Sequence, residues 1–200
     1  MADTGAPHFI PFADPTDLVR DWPALSEDVA DAVAAGLDAA GGLVAVKSAI
    51  FTGTQTDSVT AGSNVAVTDL EITHAVADPA NKLIISAFLG AAGSTGTAAQ
   101  VGIAVHDGSG LIAIGVAEGV RTRVTAGGLV DQAGGAQVVT MPSVTFVHTP
   151  NTTDSKTYTV RAINIRVDTE TLFINRAQSD TDSADRVRAV SSLVIQEVKV

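Results

Sequence analysis

From residue 43 to the end, the chain is written in short apolar runs that recur every second residue and stop at turn formers. The segments "LVAVKSAIFT", "NVAVTDLEIT", "NKLIISAFLG", "AAQVGIAVHD", "GLIAIGVAEG", "AQVVTMPSVTFVHT", "KTYTVRAINIRV", "ETLFINRA" and "RVRAVSSLVIQEVKV" have the period and length of strands. Between them, "ADPAN", "AAGSTGT" and "TPNTTDS" supply the Pro, Gly and Asn that tight connections need. Many short strands with no helical period predict an all-β fold over residues 43–200. The expected form is an antiparallel jelly-roll-like β-sandwich.

Hydrophobic residues make up 46% of the chain but aromatics only 4%, so the core must be a thin layer of Val, Ile, Leu and Ala. The formal charge of −10 would repel phosphate backbones and anionic membranes, which argues against nucleic acid and against membrane insertion. With no cysteine, neither a disulfide nor a thiolate metal site is possible. The start "MADTGAPHFIPFADPTD" lacks the basic-then-apolar order of a signal peptide, and no apolar run approaches a membrane span. The expectation is a soluble protein without an export signal of its own.

The first 42 residues read differently. Residues 1–21 carry Pro7, Pro11 and Pro15 among Phe9, Ile10 and Phe12, a composition for an extended arm that orders only against something else. Residues 22–42 hold the one strong helix signal. Pro23 suits a first turn, Glu27 and Asp28 face the positive end of the dipole, and Gly41 and Gly42 stop it. Leu25, Val29, Val33 and Leu37 recur at four-residue spacing and form one narrow apolar stripe. A helix of roughly 27 Å is too short to stand alone. The stripe therefore packs on its own sheet or on copies of itself.

Two strands are apolar on both faces. In "TYTVRAINIRV" the apolar parity shifts after Ala162, which implies a bulge near that residue or burial on two sides. In "LVIQEVKV", Leu193 and Ile195 occupy one face while Val194, Val198 and Val200 occupy the other. A monomeric sandwich normally wets one face of each sheet, so the pattern hints at a subunit interface.

Catalytic chemistry finds little foothold. In "AVHDGSGLIAIG", His106, Asp107 and Ser109 are the residue types of a hydrolytic triad. Yet the spacing lies between two strands, without the strand-to-helix elbow a serine nucleophile requires. Adjacent His106 and Asp107 would point to opposite faces of a strand, so the segment reads as a hairpin turn. The Asp180, Asp182 and Asp185 cluster lacks the glycine and distal glutamate of a calcium loop and reads as a solvated loop. His8, His74, His106 and His148 show no zinc spacing. No catalytic residue, metal site or cofactor is expected.

The stretches "GLIAIGVAEGVRTRVTAGG", "VTFVHTPNTTDSKTYTVRA" and "LFINRAQSDTDSADRVRAVSSLVIQEV" resemble a β-sandwich family of bacteriophage virion appendages, chiefly tail-fibre and minor tail proteins. The shared features are an Asp-Gly turn, a Thr-Pro-x-Thr-Thr loop before a Thr-Tyr strand, an Ile-Asn-Arg strand end, an Asp-rich loop and a closing strand. The segment "FADPTDLVRDWPALSEDVADAVAAGLDAAGG" is similar to the helical stem before such heads in phages of actinobacteria.

The resemblance implies a homotrimeric jelly-roll head on a short stem, built into a virion with other tail or capsid proteins and exposed on the particle. On that reading Leu25, Val29, Val33 and Leu37 pack the stem. Phe9, Ile10 and Phe12 anchor the arm, and the head faces the host surface and its glycans. A capsid decoration or head-fibre protein is the alternative. A carbohydrate-binding module is a third reading, disfavoured because sugar platforms use exposed aromatics and the chain has one Trp and one Tyr.

Overall fold

The structure is a computed structural model that describes residues 42–95, 98–131, 139–182 and 186–200. The expected arm and helical stem, and with them Phe9, Ile10, Phe12, Leu25, Val29, Val33 and Leu37, lie outside the described residues. The chain divides at Gly42, and Leu43–Val200 forms one unit.

That unit contains only strands among the described residues. They are β1 (Leu43–Phe51), β2 (Gln55–Val59), β3 (Asn64–His74), β4 (Lys82–Phe88), β5 (Ala92–Ser94) and β6 (Ala98–His106) in the first half. The second half holds β7 (Leu111–Ile112), β8 (Ala126–Asp131), β9 (Ser143–His148), β10 (Lys156–Asn164), β11 (Glu170–Ile174) and β12 (Ser191–Val198). One sheet has the order β1-β12-β4-β9. The other runs β3-β10-β6, with β7 and β8 sharing the far edge of β6. Every pairing is antiparallel.

Apart from β6, β7 and β8, which follow one another in one sheet, the strands of the two large sheets alternate between them as the chain advances, and the last, β12, returns to lie beside the first. This double Greek-key order defines a jelly roll, so the all-β sandwich expected from the alternating runs is the fold. A third, small sheet, β2-β11-β5, is assembled from the connections that leave β1, β10 and β4.

Alternation explains the layering. In β12, Leu193, Ile195 and Glu197 face inward and Ser192, Val194, Gln196 and Val198 outward. In β4, Leu83, Ile85 and Ala87 do the same against Ile84, Ser86 and Phe88. These side chains meet Val101, Ile103 and Val105 of β6 and Tyr158, Val160 and Ala162 of β10 in one continuous core.

The parity shift expected near residue 162 has two sources. The irregularity lies opposite Thr159 and Arg161, where β3 crosses from Glu71 to Ala66 and Asp69 turns to φ 58°. The second buried face of β10 is covered by the chain itself. A Cβ at Gly102, which pairs with Ile163, would lie 2.5 Å from Val124 Cγ1 and 3.1 Å from Ile165 Cγ2. The loop after β7 therefore lies on the outside of this sheet, and only glycine at 102 admits it.

Candidate functional site

The strand directions give the sandwich two unlike ends. Leu43 pairs with Val198, so the first strand begins and the last strand ends at one end, here termed the root. The opposite end, the crown, carries the β2-β11-β5 sheet.

The root holds two buried or half-buried pairs, His74 with Glu197 and Lys156 with Asp107. Glu197 is 1% exposed, yet its carboxylate is fully engaged. It accepts hydrogen bonds from Asn81 Nδ2 (2.6 Å), the Ala77 N–H (2.8 Å) and His74 Nε2 (2.8 Å). Burial alone would raise its pKa, but these donors outweigh that and hold it below its usual value. The cluster ties the last strand to the end of β3 and to the loop ahead of β4.

Beside it, Asp107 organises the turn of "HDGSG". Its Oδ1 accepts from the N–H groups of Ser109 (2.9 Å) and Gly110 (3.1 Å), and Gly108 takes φ 89°. Its Oδ2 accepts from Lys156 Nζ at 2.7 Å. Although burial opposes ionisation, these bonds bring its pKa down to about 2. His106 Nδ1 accepts from the Gly108 N–H instead of facing a serine hydroxyl. The triad-like trio is thus a hairpin turn clamped to β10.

Next to the clamp, His148 meets Tyr158 edge to face at 5.9 Å. Burial lowers the His148 pKa, with Lys156 acting in the same direction against the pull of Asp107. Burial, helped by Asp107, pushes the Tyr158 phenol up to about 12. A buried Tyr158 cannot serve as a sugar-stacking platform. No group of His, Asp and Glu suited to a metal ion exists among the described residues.

At the crown, two asparagines hold the loops. Asn175, at φ 62°, donates from Nδ2 to the carbonyls of Phe51 (2.8 Å) and Gly53 (2.9 Å), and its Oδ1 accepts from Ser191 Oγ (2.6 Å). Asn164 donates to the carbonyls of Val59 and Asp168, both at 2.8 Å. Of the acidic cluster, Asp180 is clamped between Arg176 (3.1 Å) and Arg188 (2.7 Å), and Asp185 lies outside the described residues. Each Asp180 carboxyl oxygen thus faces an arginine of the same chain.

A cleft of about 580 Å³ lies along Ala61, Gly62, Val124 and Ile165, with Arg121 and Arg166 at its margin. Both arginines are paired, Arg121 with Glu118 and Arg166 with Glu170. Among the described residues, no helix is long and apolar enough to cross a membrane. The fold defines a jelly-roll β-sandwich protein. No protein-family model matches the chain, and no curated protein matches it.

Proposed function

We propose that the chain is a structural virion protein, the jelly-roll head of a homotrimeric tail-associated appendage such as a fibre or minor tail protein. The observation that supports this best is the division of labour between the two ends. The chain enters the sandwich at the root, where Leu43 lies beside Val198, and the root is braced by the Glu197 and Asp107 clusters. The additional sheet and its asparagine-pinned loops are all at the crown.

A head held at one end and presenting elaborated loops at the other suits an appendage that meets a surface. In this reading the arm, through Phe9, Ile10 and Phe12, docks on other virion proteins. The stripe Leu25, Val29, Val33 and Leu37 gathers three stems, and the crown faces the host. The test is the mass of the full chain by light scattering with sedimentation equilibrium. A mass of three chains is expected, and a monomer at high protein concentration would overturn the reading.

A further inference from the structure

We infer that the cleft at the crown binds an oxyanion, a carboxylate or phosphate carried on a small carbon skeleton, as in one acidic unit of a surface polymer. The inference rests on the reading that the crown meets a surface, and names what this end takes there. Three segments wall the cleft: the turn between β2 and β3 at Gly62, the loop after β7 at Thr122, and the connection from β10 to β11 at Arg166. Gly62, at φ 69°, brings the first two together, since a Cβ there would lie 3.6 Å from Thr122 Oγ1. The turn is tied to the third, because the Gly62 N–H donates to the Asn164 carbonyl at 3.0 Å.

Arg166 is the fixed charge of this cleft. Its backbone N–H donates to Asn164 Oδ1 at 2.9 Å, and Asn164 is fully buried and pinned to the carbonyls of Val59 and Asp168. Its Nε lies 2.9 Å from Glu170 Oε1, and the other oxygen of Glu170 accepts from the Thr95 hydroxyl. Both the backbone and the side chain of Arg166 are thus set in advance, which lowers the ordering cost of binding. A guanidinium carries five N–H donors in a rigid plane, so a pair made through Nε leaves Nη1 on the opposite side for a second oxyanion. Neither Glu170 nor Glu118, the partner of Arg121, lines the cleft. A ligand therefore meets two arginines and no carboxylate.

The remaining walls are apolar. Val124 and Ile165 are half-buried, whereas Val167 is 90% exposed and Val120 fully so. Open apolar side chains beside a positioned cation suit a ligand with one charged group on a hydrocarbon body. The volume of about 580 Å³ is that of a small-molecule site.

The test titrates the full chain at low salt with glucuronate, glucose 6-phosphate and glucose, followed by ligand-observed NMR. One or both acids should bind with Kd on the order of 1 mM or tighter, and glucose should not. Glucuronate alone points to a carboxylate source, glucose 6-phosphate alone to a phosphate source, and both to the charge itself. If neither acid binds, or glucose binds as tightly as the acids, the inference is overturned.

Arg166→Gln should weaken the acid at least tenfold. Because Arg166 also holds Glu170, Val167→Glu provides a variant at an open position. It should keep the wild-type melting temperature and weaken the acid at least tenfold by placing a like charge in the cleft, while Val167→Lys should tighten it. Val200→Glu, also open but at the root, should change nothing. Acid binding that Val167→Glu leaves intact overturns the cleft as the site. The chain's mass is a separate readout: a monomer that binds the acid removes the trimer and keeps the site, and a trimer that binds neither acid keeps the trimer and removes the site.

Discussion

Replacing Asp107 with Asn isolates the ionised clamp at the root, because the amide keeps an oxygen for the turn but loses the charge facing Lys156. In the folded protein the carboxyl titrates at about 2, against 3.8 when unperturbed. That fall corresponds to roughly 2 kcal/mol of stability at neutral pH. The unfolded chain takes up the proton first as the pH drops, so the contribution is complete above pH 3.8 and fades as the pH falls through about 2. From these values about half should remain at pH 3 and little at pH 2. Urea titrations of wild type and Asp107→Asn at one fixed protein concentration measure the difference directly. Equal stability at pH 7 would refute the reasoning. So would a deficit as large at pH 2.5 as at pH 7, since that loss would come from packing and not from ionisation.

Glu197→Gln should cost about 1–3 kcal/mol at pH 7, because an amide NH₂ is brought against donors that now face a carboxylate. Since the folded pKa is depressed, the deficit should shrink below pH 4.5, as chemical denaturation across that range will show. Gly90→Ala would place a Cβ 2.2 Å from the Val190 carbonyl oxygen and should cost about 1–3 kcal/mol, lowering the melting temperature by several degrees. Gly110→Ala, with nothing within 4 Å, should melt with the wild type.

The long strands were legible because each is half-buried and alternates, as in "KLIISAF" and "SSLVIQEV". The runs "QTDSV", "AGS" and "AGGLVD" became β2, β5 and β8 without such a signature. Their pairing comes from neighbours that present open edges. In the opposite direction, "GLIAIGVAEG" was apolar enough for a full strand, yet only Leu111–Ile112 pairs. Ala113 turns to φ 52° and the chain leaves the sheet.

The Asp-Gly-Ser-Gly turn could be read locally, since its hydrogen bonds span two or three residues. His74 and Glu197 could not be joined from sequence, because 123 residues separate them and only strand order brings them together. The apolar second parity of "LVIQEVKV" puts Val194, half-buried, on the outer face of its sheet beside Ser48 and Ser86. The second parity of β10 gave the same signal, but its cover is intramolecular.

The most direct test of the proposed role is to locate the chain on a particle. If the proposed role holds, antibodies raised against residues 43–200, applied to intact particles of any phage whose genome carries this sequence and viewed by electron microscopy, should place gold on the tail or its appendages. Labelling spread evenly over the capsid would contradict a tail appendage and identify a decoration protein, and purified virions free of the chain would contradict any structural role in the particle.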